Sequence, residues 1–584
     1  MRLDRALVLL ALAVSLVALA AVALAAGDSA SLAAPAPTRA DYPTIGGIGG
    51  RPVVWALAQM HLFLAAFVLA VPIFVLVIEL TGVLARDARY DVMAREFMKI
   101  SIAAYSLTAL AGGGLTLALF LFYPVVMGYL MRVFQGQVLV YALLFVLESV
   151  FLYVYYYSWD ALRYGDRKWF HLSIGLLLNG VGTTLMFVAN SWVTFTMAPS
   201  GVDSSGAVTG TIWQIMQGPL WNPLNLHRFL ANIAYGGAIV GAYAAYRFLS
   251  ARTAEARAHY DWMGYTSNFI AVVGFLPLPF AGYWLMAEIY AYSQQMGITA
   301  MGGVLAWLFI IQAVLIGSIL LAVNYYLWCG LGRTEGGARY TGYVKYIAVV
   351  LVGGFLVWVT PHTLILTPEE VRVLGGTHHK VLGPLGIMPA KNMAVNLMLL
   401  ATFLSFQLFR RASRTPTATW AWAGNAVIVA LYLVGTLNIV GAGLYGYITP
   451  TVYKVGSSVP QVATTLSVIV FCLIIDGLMG RGAIKSDVRW GRMSVRSQYA
   501  LFVLPVAFTW LMVLMGYIRS SVRTHWHVYT IMRDTSPEAY IPTIGDAGNM
   551  ITLVTVAFMA VIIFVFWLTQ LDTSKQLAPS EAMP

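Results

Sequence analysis

Three side chains in this sequence have the chemistry to hold an iron-bearing cofactor, and each stands in a separate apolar segment. His227, followed by Arg228, opens a hydrophobic stretch after Trp221-Asn222-Pro223-Leu224-Asn225-Leu226. His61 lies in the first third of another such stretch, and Met393 stands near one end of a third. Imidazole and thioether groups are axial ligands of haem iron, and ionisable groups retained inside apolar segments are commonly functional. The bland alternatives are a hydrated interfacial histidine and a methionine that fills a core. Glu148 sits mid-segment, where a carboxylate is costly unless it is paired, protonated or faces water, so a proton path is the sharp reading. Glu288 poses the same choice. Glu79 and Asp476 stand close to segment ends and read as helix-end charges solvated by water.

Composition determines what must position these groups. Of 584 residues, 60% are hydrophobic and only 10% charged, and the mean hydropathy is +0.77. An ordinary soluble domain carries about 25% charged residues, so this is a polytopic membrane chain. Its two cysteines, Cys329 and Cys472, form no CxxC or CxxCH motif, which argues against a disulfide scaffold, a zinc site, an iron–sulfur cluster or covalently attached haem. The net charge of +11 comes from basic residues in short loops, where membrane topology demands them. Nucleic acid is therefore not an expected partner.

Runs of about 20 apolar residues predict an N-terminal segment at 6–26 and thirteen further spans. These are 53–84, 98–127, 136–162, 169–196, 227–249, 264–291, 303–329, 342–360, 387–409, 420–446, 461–479, 498–518 and 549–570. Alternate loops are basic, among them those holding Arg86 to Lys99, Arg163 to Lys168, and Arg481 to Arg496. That pattern assigns those loops to the cytoplasm and places His61, His227 and Met393 toward the outer side. Segment 6–26 reads equally well as a signal peptide or as a span. The aromatic run Tyr153, Tyr155, Tyr156, Tyr157 and Trp159 reads as an interfacial belt. His362, His378, His379, His525 and His527 fall in outer loops. The adjacent pair His378-His379 lacks further fixed ligands, so no metal other than haem iron is assigned. Arg228, Arg372, Lys380 and Lys391 are candidates for pairing with haem propionates, and Arg519 to Tyr529 for a propionate or partner contact.

The blocks Met60-His61-Leu62-Phe63, Val77-Ile78-Glu79-Leu80-Thr81-Gly82, Leu147-Glu148-Ser149, Ser158-Trp159-Asp160 and Val188-Ala189-Asn190-Ser191-Trp192 resemble subunit I of the cytochrome bd quinol oxidases. In order and spacing the resemblance extends through Asn222-Pro223, over about residues 55–250. It implies that His61 ligates an active-site haem and that Glu148 belongs to the proton path or haem environment. The low-spin haem ligand of the family would fall at Ala231, and His227 stands one turn earlier on the same face. The family's Arg-x-Met pattern resembles Lys391-Asn392-Met393.

Other features depart from the family. A glutamate expected eight residues before Glu148 is replaced by Val140. The Glu-x-Gly-Arg-Gln-Pro-Trp haem motif survives only as Leu444-Tyr445-Gly446-Tyr447-Ile448-Thr449-Pro450, without a carboxylate. The long hydrophilic quinol loop is replaced by a direct connection from Tyr290 to Gly303.

The expectation is an all-α, polytopic transmembrane helix bundle of about 14 spans with a cytochrome bd subunit I-like core. Its organisation would be a signal-like or anchoring segment with outer linker at 1–52, haem-binding helices at 53–260, and further helices carrying Met393 at 261–584. The resemblance implies a multi-pass subunit of the bacterial or archaeal cell membrane that oxidises quinol, with dioxygen reduction left open. Implied cofactors are one or two haems b, with a d-type haem left open, and an additional membrane subunit is the implied partner. Two alternatives stand beside this. One is a b-type cytochrome relaying electrons between a periplasmic c-type cytochrome and the quinone pool. The other is a haem-free transporter or anchor.

Overall fold

The computed structural model describes residues 33–301, 303–360, 372–373, 388–449, 458–539 and 544–576. Fourteen long helices dominate these residues: α1 (Gly50–Ala85), α2 (Ala88–Phe122), α3 (Gln135–Tyr157), α4 (Arg167–Met197), α5 (Trp221–Ser250), α6 (Ala254–Phe275), α7 (Leu278–Tyr292), α8 (Gly303–Leu331), α9 (Val344–Val359), α10 (Met388–Ser413), α11 (Ala421–Ile448), α12 (Ser458–Met479), α13 (Val495–Val522) and α14 (Ile544–Gln576). Helices α6 and α7 make one interrupted span, so the described residues contain thirteen candidate membrane spans. They correspond one for one to the thirteen predicted after the N-terminal segment, and 6–26 lies outside the described residues.

The boundaries shift for local reasons. Helix α2 begins ten residues before the apolar run because the Asp87 side chain accepts from Arg89 N–H and caps it. It ends at Phe122, and Pro124 opens a separate short helix, Pro124–Val133, at the first-turn position where its missing N–H costs nothing. The predicted span 264–291 is broken between Phe275 and Leu278, around Pro277. Helix α5 starts at Trp221 with Pro223 in its first turn, which puts His227 in the second turn rather than at the mouth.

The chain forms two compact units. The first comprises Met1–Val240, Ala281–Ala300 and Met515–Pro584, and the second Gly241–Phe280 and Met301–Leu514. In the first unit, α1 and α2 form a long hairpin. Arg86 turns it in the left-handed conformation (φ 52°), its N–H donating to Gly82 and Val83 carbonyls. Helix α14 packs on both, with Phe63 meeting Phe558 edge-on at 5.1 Å, and within the hairpin Phe74 of α1 meets Phe97 of α2 at 5.7 Å. In hydrocarbon such contacts stabilise by close packing, because lipid tails are as apolar as the side chains. Pro72 inside α1 cannot donate to the Val68 carbonyl, and Ser101 Oγ on α2 donates to it instead at 3.3 Å.

In the second unit α10 packs against α8, α9, α11 and α12. Polar side chains join these helices: Asn324 to Thr402 at 2.8 Å, Trp328 to Ser405 at 3.0 Å and Thr465 to Asn396 at 2.7 Å. Two antiparallel ribbons lie outside the spans. One pairs β1 (Arg414–Thr415) with β2 (Ile484–Lys485) in the second unit, and the other pairs β3 (Trp526–Val528) with β4 (Met532–Arg533) in the first.

Candidate functional site

His61 is half-buried on α1 and turned toward α2. Its Nδ1 lies 3.1 Å from the Thr108 carbonyl. A carbonyl only accepts, so Nδ1 carries the proton and Nε2 keeps its lone pair, the form an iron ligand requires. The ring rests over Gly112, where an added Cβ would fall 2.8 Å from His61 Cε1. Any other residue there would displace the imidazole.

Glu148, on α3, is 5% exposed and has no hydrogen-bond partner among the described residues. Its carboxylate faces α4 at Gly182, where a Cβ would meet Oε1 at 3.3 Å and Leu69 of α1 at 3.1 Å. A small crevice beside it is lined by Leu69, Ala70, Ile73, Gly182, Met186 and Asn232. Leu69 is eight residues along α1 from His61 (69 − 61), about 12 Å of helix rise. The imidazole lies against α2 and the carboxylate against α4, at different levels along α1.

His227 is half-buried, packs against Gly282 of α7 at ordinary contact distance, and neither ring nitrogen is hydrogen-bonded among the described residues. Arg228 donates to Asn190 Oδ1, and Asn190 Nδ2 donates to Asn225 Oδ1 at 2.7 Å. Two sequence blocks, around Asn190 and around Asn222-Pro223, are therefore tied together by side-chain bonds at the start of α5.

In the second unit Met393 lies over Gly443 of α11. Lys391 is buried, and its ammonium donates to the Trp358 carbonyl at 2.6 Å and to the Thr360 carbonyl. It caps the C-terminus of α9, where a cation complements the helix dipole. His362, His378, His379 and Lys380 lie outside the described residues.

Several sequence readings are corrected. Glu79 is 1% exposed, not solvated; it accepts from Tyr155 and Lys168 and shares a hydrogen bond with His171 Nδ1. Asp476 is 3% exposed and paired with Arg410 at 3.1 Å and Arg411 at 2.6 Å. Tyr155 and Trp159 are buried and contribute to the Glu79 surroundings rather than to a belt, whereas Tyr153 and Tyr157 are exposed. Glu288 is half-buried and accepts from Trp284 Nε1, one turn away, at 3.1 Å. His171 and Lys168 were overlooked, although three residues apart they share a helix face. Val140 is buried, and Leu444 and Tyr445 are exposed.

The segment after α13 is a clasp. His527 bonds the Tyr42 hydroxyl at 2.8 Å and faces Asp534 at 3.3 Å, and Arg523 donates to the His527 carbonyl at 2.7 Å. Burial alone would raise the Asp534 carboxyl. The hydrogen bond and charge of His527, with bonds from Ser536, outweigh it and hold the carboxyl at about 2. Burial and the neighbouring Arg51 charge push Arg523 down to about 10.

The described residues form a bundle of helices long and apolar enough to cross a membrane. Residues 51–318 match the family model for cytochrome bd terminal oxidase subunit I, so this part of the chain is cytochrome bd subunit I-like. Among solved structures, the bd oxidase from Geobacillus thermodenitrificans is similar at 14% identity and a TM-score of 0.48, over 90% of this chain and 98% of that one. No curated protein matches the sequence.

Proposed function

We propose that this chain is a haem-containing integral membrane subunit of a respiratory electron-transfer complex of the bacterial or archaeal cell membrane, and that it takes electrons from quinol. The observation that carries this reading is His61, whose Nδ1 is committed to the Thr108 carbonyl while Nε2 keeps its lone pair beside a side-chain-free Gly112. His61 would ligate one haem b and His227 a second, with Arg228 near a propionate. Lys391 is already engaged with carbonyls of the α9 end, which leaves it better suited to anchoring that helix than to pairing with a propionate. Haem would supply one-electron redox chemistry. Glu148 would hold the proton that balances charge as electrons arrive, since a lone carboxylate in an apolar interior is most stable when protonated.

The test is haem quantification with a reduced-minus-oxidised spectrum of the purified chain. Haem b is expected, and its absence would leave a haem-free transporter or anchor.

A second reading is a b-type cytochrome that relays electrons without reducing dioxygen. It is favoured by Val140, buried and apolar where a family carboxylate is expected, and by the exposed Leu444 and Tyr445 of the motif remnant. Oxygen consumption with a reduced quinol decides between the two: fast turnover by the isolated chain would exclude the relay.

A further inference from the structure

Six side chains meet at the end of α1 to α4 that the basic loops assign to the cytoplasm. Glu79 on α1 and Asp91 on α2 both pair with Lys168 on α4. Trp159, just after α3, donates to Asp91 Oδ2 at 3.1 Å, and the Tyr155 hydroxyl donates to Glu79 Oε2. His171 stacks on Tyr155 with ring centroids 4.4 Å apart and lies 4.6 Å from Trp159, edge-on. The side chains of Glu79 and His171 are fully buried and that of Lys168 is 8% exposed.

Hydrogen-bond chemistry locates the protons. His171 Nε2 lies 2.9 Å from the Tyr155 carbonyl, which can only accept, so Nε2 bears a hydrogen. Nδ1 lies 2.5 Å from Glu79 Oε1. Two lone pairs repel at that separation, so a second proton lies between them, on nitrogen or on oxygen. With it, two carboxylates, one ammonium and one imidazole sum to zero charge. Without it the cluster carries a net −1, and an uncompensated buried ion costs several kcal/mol.

We infer that Glu79 and His171 form a proton-holding pair that takes up one proton from the inner aqueous side and releases it along the seam between α3 and α4. The seam is laid out in the sequence. Tyr155 and Glu148 are seven residues apart on one face of α3. On α4, Gly175 lies against the Tyr155 ring, where a Cβ would meet Cε2 at 2.8 Å, and Gly182, seven residues on, lies against Glu148. Between them stands Asn179, whose Nδ2 donates to the Gly175 and Pro72 carbonyls while its buried Oδ1 has no hydrogen bond among the described residues. When the bridging proton leaves, the cluster becomes net −1, and a proton from the inner water restores neutrality. Delivery toward Glu148 rests on the proton role proposed for that carboxylate, whereas the holding site does not.

The experiment is nitrogen NMR of the full chain in lipid nanodiscs, with 15N-labelled histidine and with His171 assigned by the signal lost in His171→Gln. Wild type should show both ring nitrogens of His171 protonated, with a strongly deshielded Nδ1 proton that exchanges with D2O within minutes. Glu79→Gln should leave a neutral ring with hydrogen on Nε2 alone. Tyr155→Phe, which keeps the stacked ring and removes one donor to Glu79, should retain both protons and exchange several-fold faster. It serves as the variant of choice if Glu79→Gln fails to fold. A singly protonated His171 in wild type would overturn the inference. So would a doubly protonated ring whose Nδ1 proton survives a day in D2O in both wild type and Tyr155→Phe, since that is a static ion pair. The readout needs no haem, so a chain without haem that shows the exchanging proton would sink the proposed function and leave this inference standing.

Discussion

Two buried glutamates on neighbouring helices of the first unit live in opposite surroundings. Glu79 is hydrogen-bonded to an imidazole, a phenol and an ammonium, while Glu148, about as deeply buried, faces a glycine and a leucine. The first carboxylate belongs to a neutral polyion that fixes four helices. The second contributes nothing to packing that a neutral side chain of the same shape could not supply. Buried carboxyl groups thus have two kinds of surroundings within one bundle, and the presence or absence of partners tells them apart.

Removing each carboxylate is the strongest way to break this contrast. Glu79→Ala removes the carboxylate from His171 and leaves Lys168 with Asp91 alone, and should cost about 3–5 kcal/mol, read as lost yield or a lowered Tm in detergent. Glu148→Gln should change stability by less than about 1 kcal/mol while altering proton uptake on reduction. Equal destabilisation by the two would erase the distinction.

Next in size is the proposed haem ligand His61. His61→Ala should remove one haem equivalent by pyridine haemochrome assay and leave the His227 signal in place. Unchanged haem content would make His61 a packing residue. The clasp outside the spans offers a carboxylate–imidazole pair in contact with water, and a smaller effect. Asp534 is held at about 2, below its ordinary value, so its contribution is fully present above about pH 4 and is lost as pH falls toward 2, roughly 1–2 kcal/mol in all. Hydrogen exchange of the β3–β4 ribbon should show protection fading over that range, and Asp534→Asn should flatten the dependence. Smallest is Ser101→Ala, which leaves the Val68 carbonyl opposite Pro72 without its donor and should cost about 1 kcal/mol in thermal unfolding.

Hydropathy alone located the thirteen spans, because a bilayer admits only helices with an apolar run of sufficient length. Helix ends escaped it: Asp87 and Pro124 set them by capping and by a missing N–H, which hydropathy does not register. His61 and Glu148 stand out in the sequence because short family-like blocks surround them. The partners of Glu79 were not, since Asp91 and Lys168 are 77 residues apart and Glu79 and His171 are 92 apart. Lys168 looked like one more basic loop residue, and Tyr155 like one more interfacial ring. Nothing local distinguishes a lysine that will be drawn inward from one that stays in water.

The run Gly112-Gly113-Gly114 carries a consequence for the mutational tolerance of this chain. A methyl group on Gly112 would collide with the His61 ring, whereas at Gly113 it would meet nothing within 4 Å. In a scan of all substitutions the two adjacent codons should behave oppositely. Alanine at 113 should be accepted or even favoured, since glycine inside a helix sacrifices about 0.5–1 kcal/mol. Every replacement at 112 should score as though His61 itself had been changed. A single absent carbon on one helix thereby becomes as heritable a requirement as the imidazole on the other.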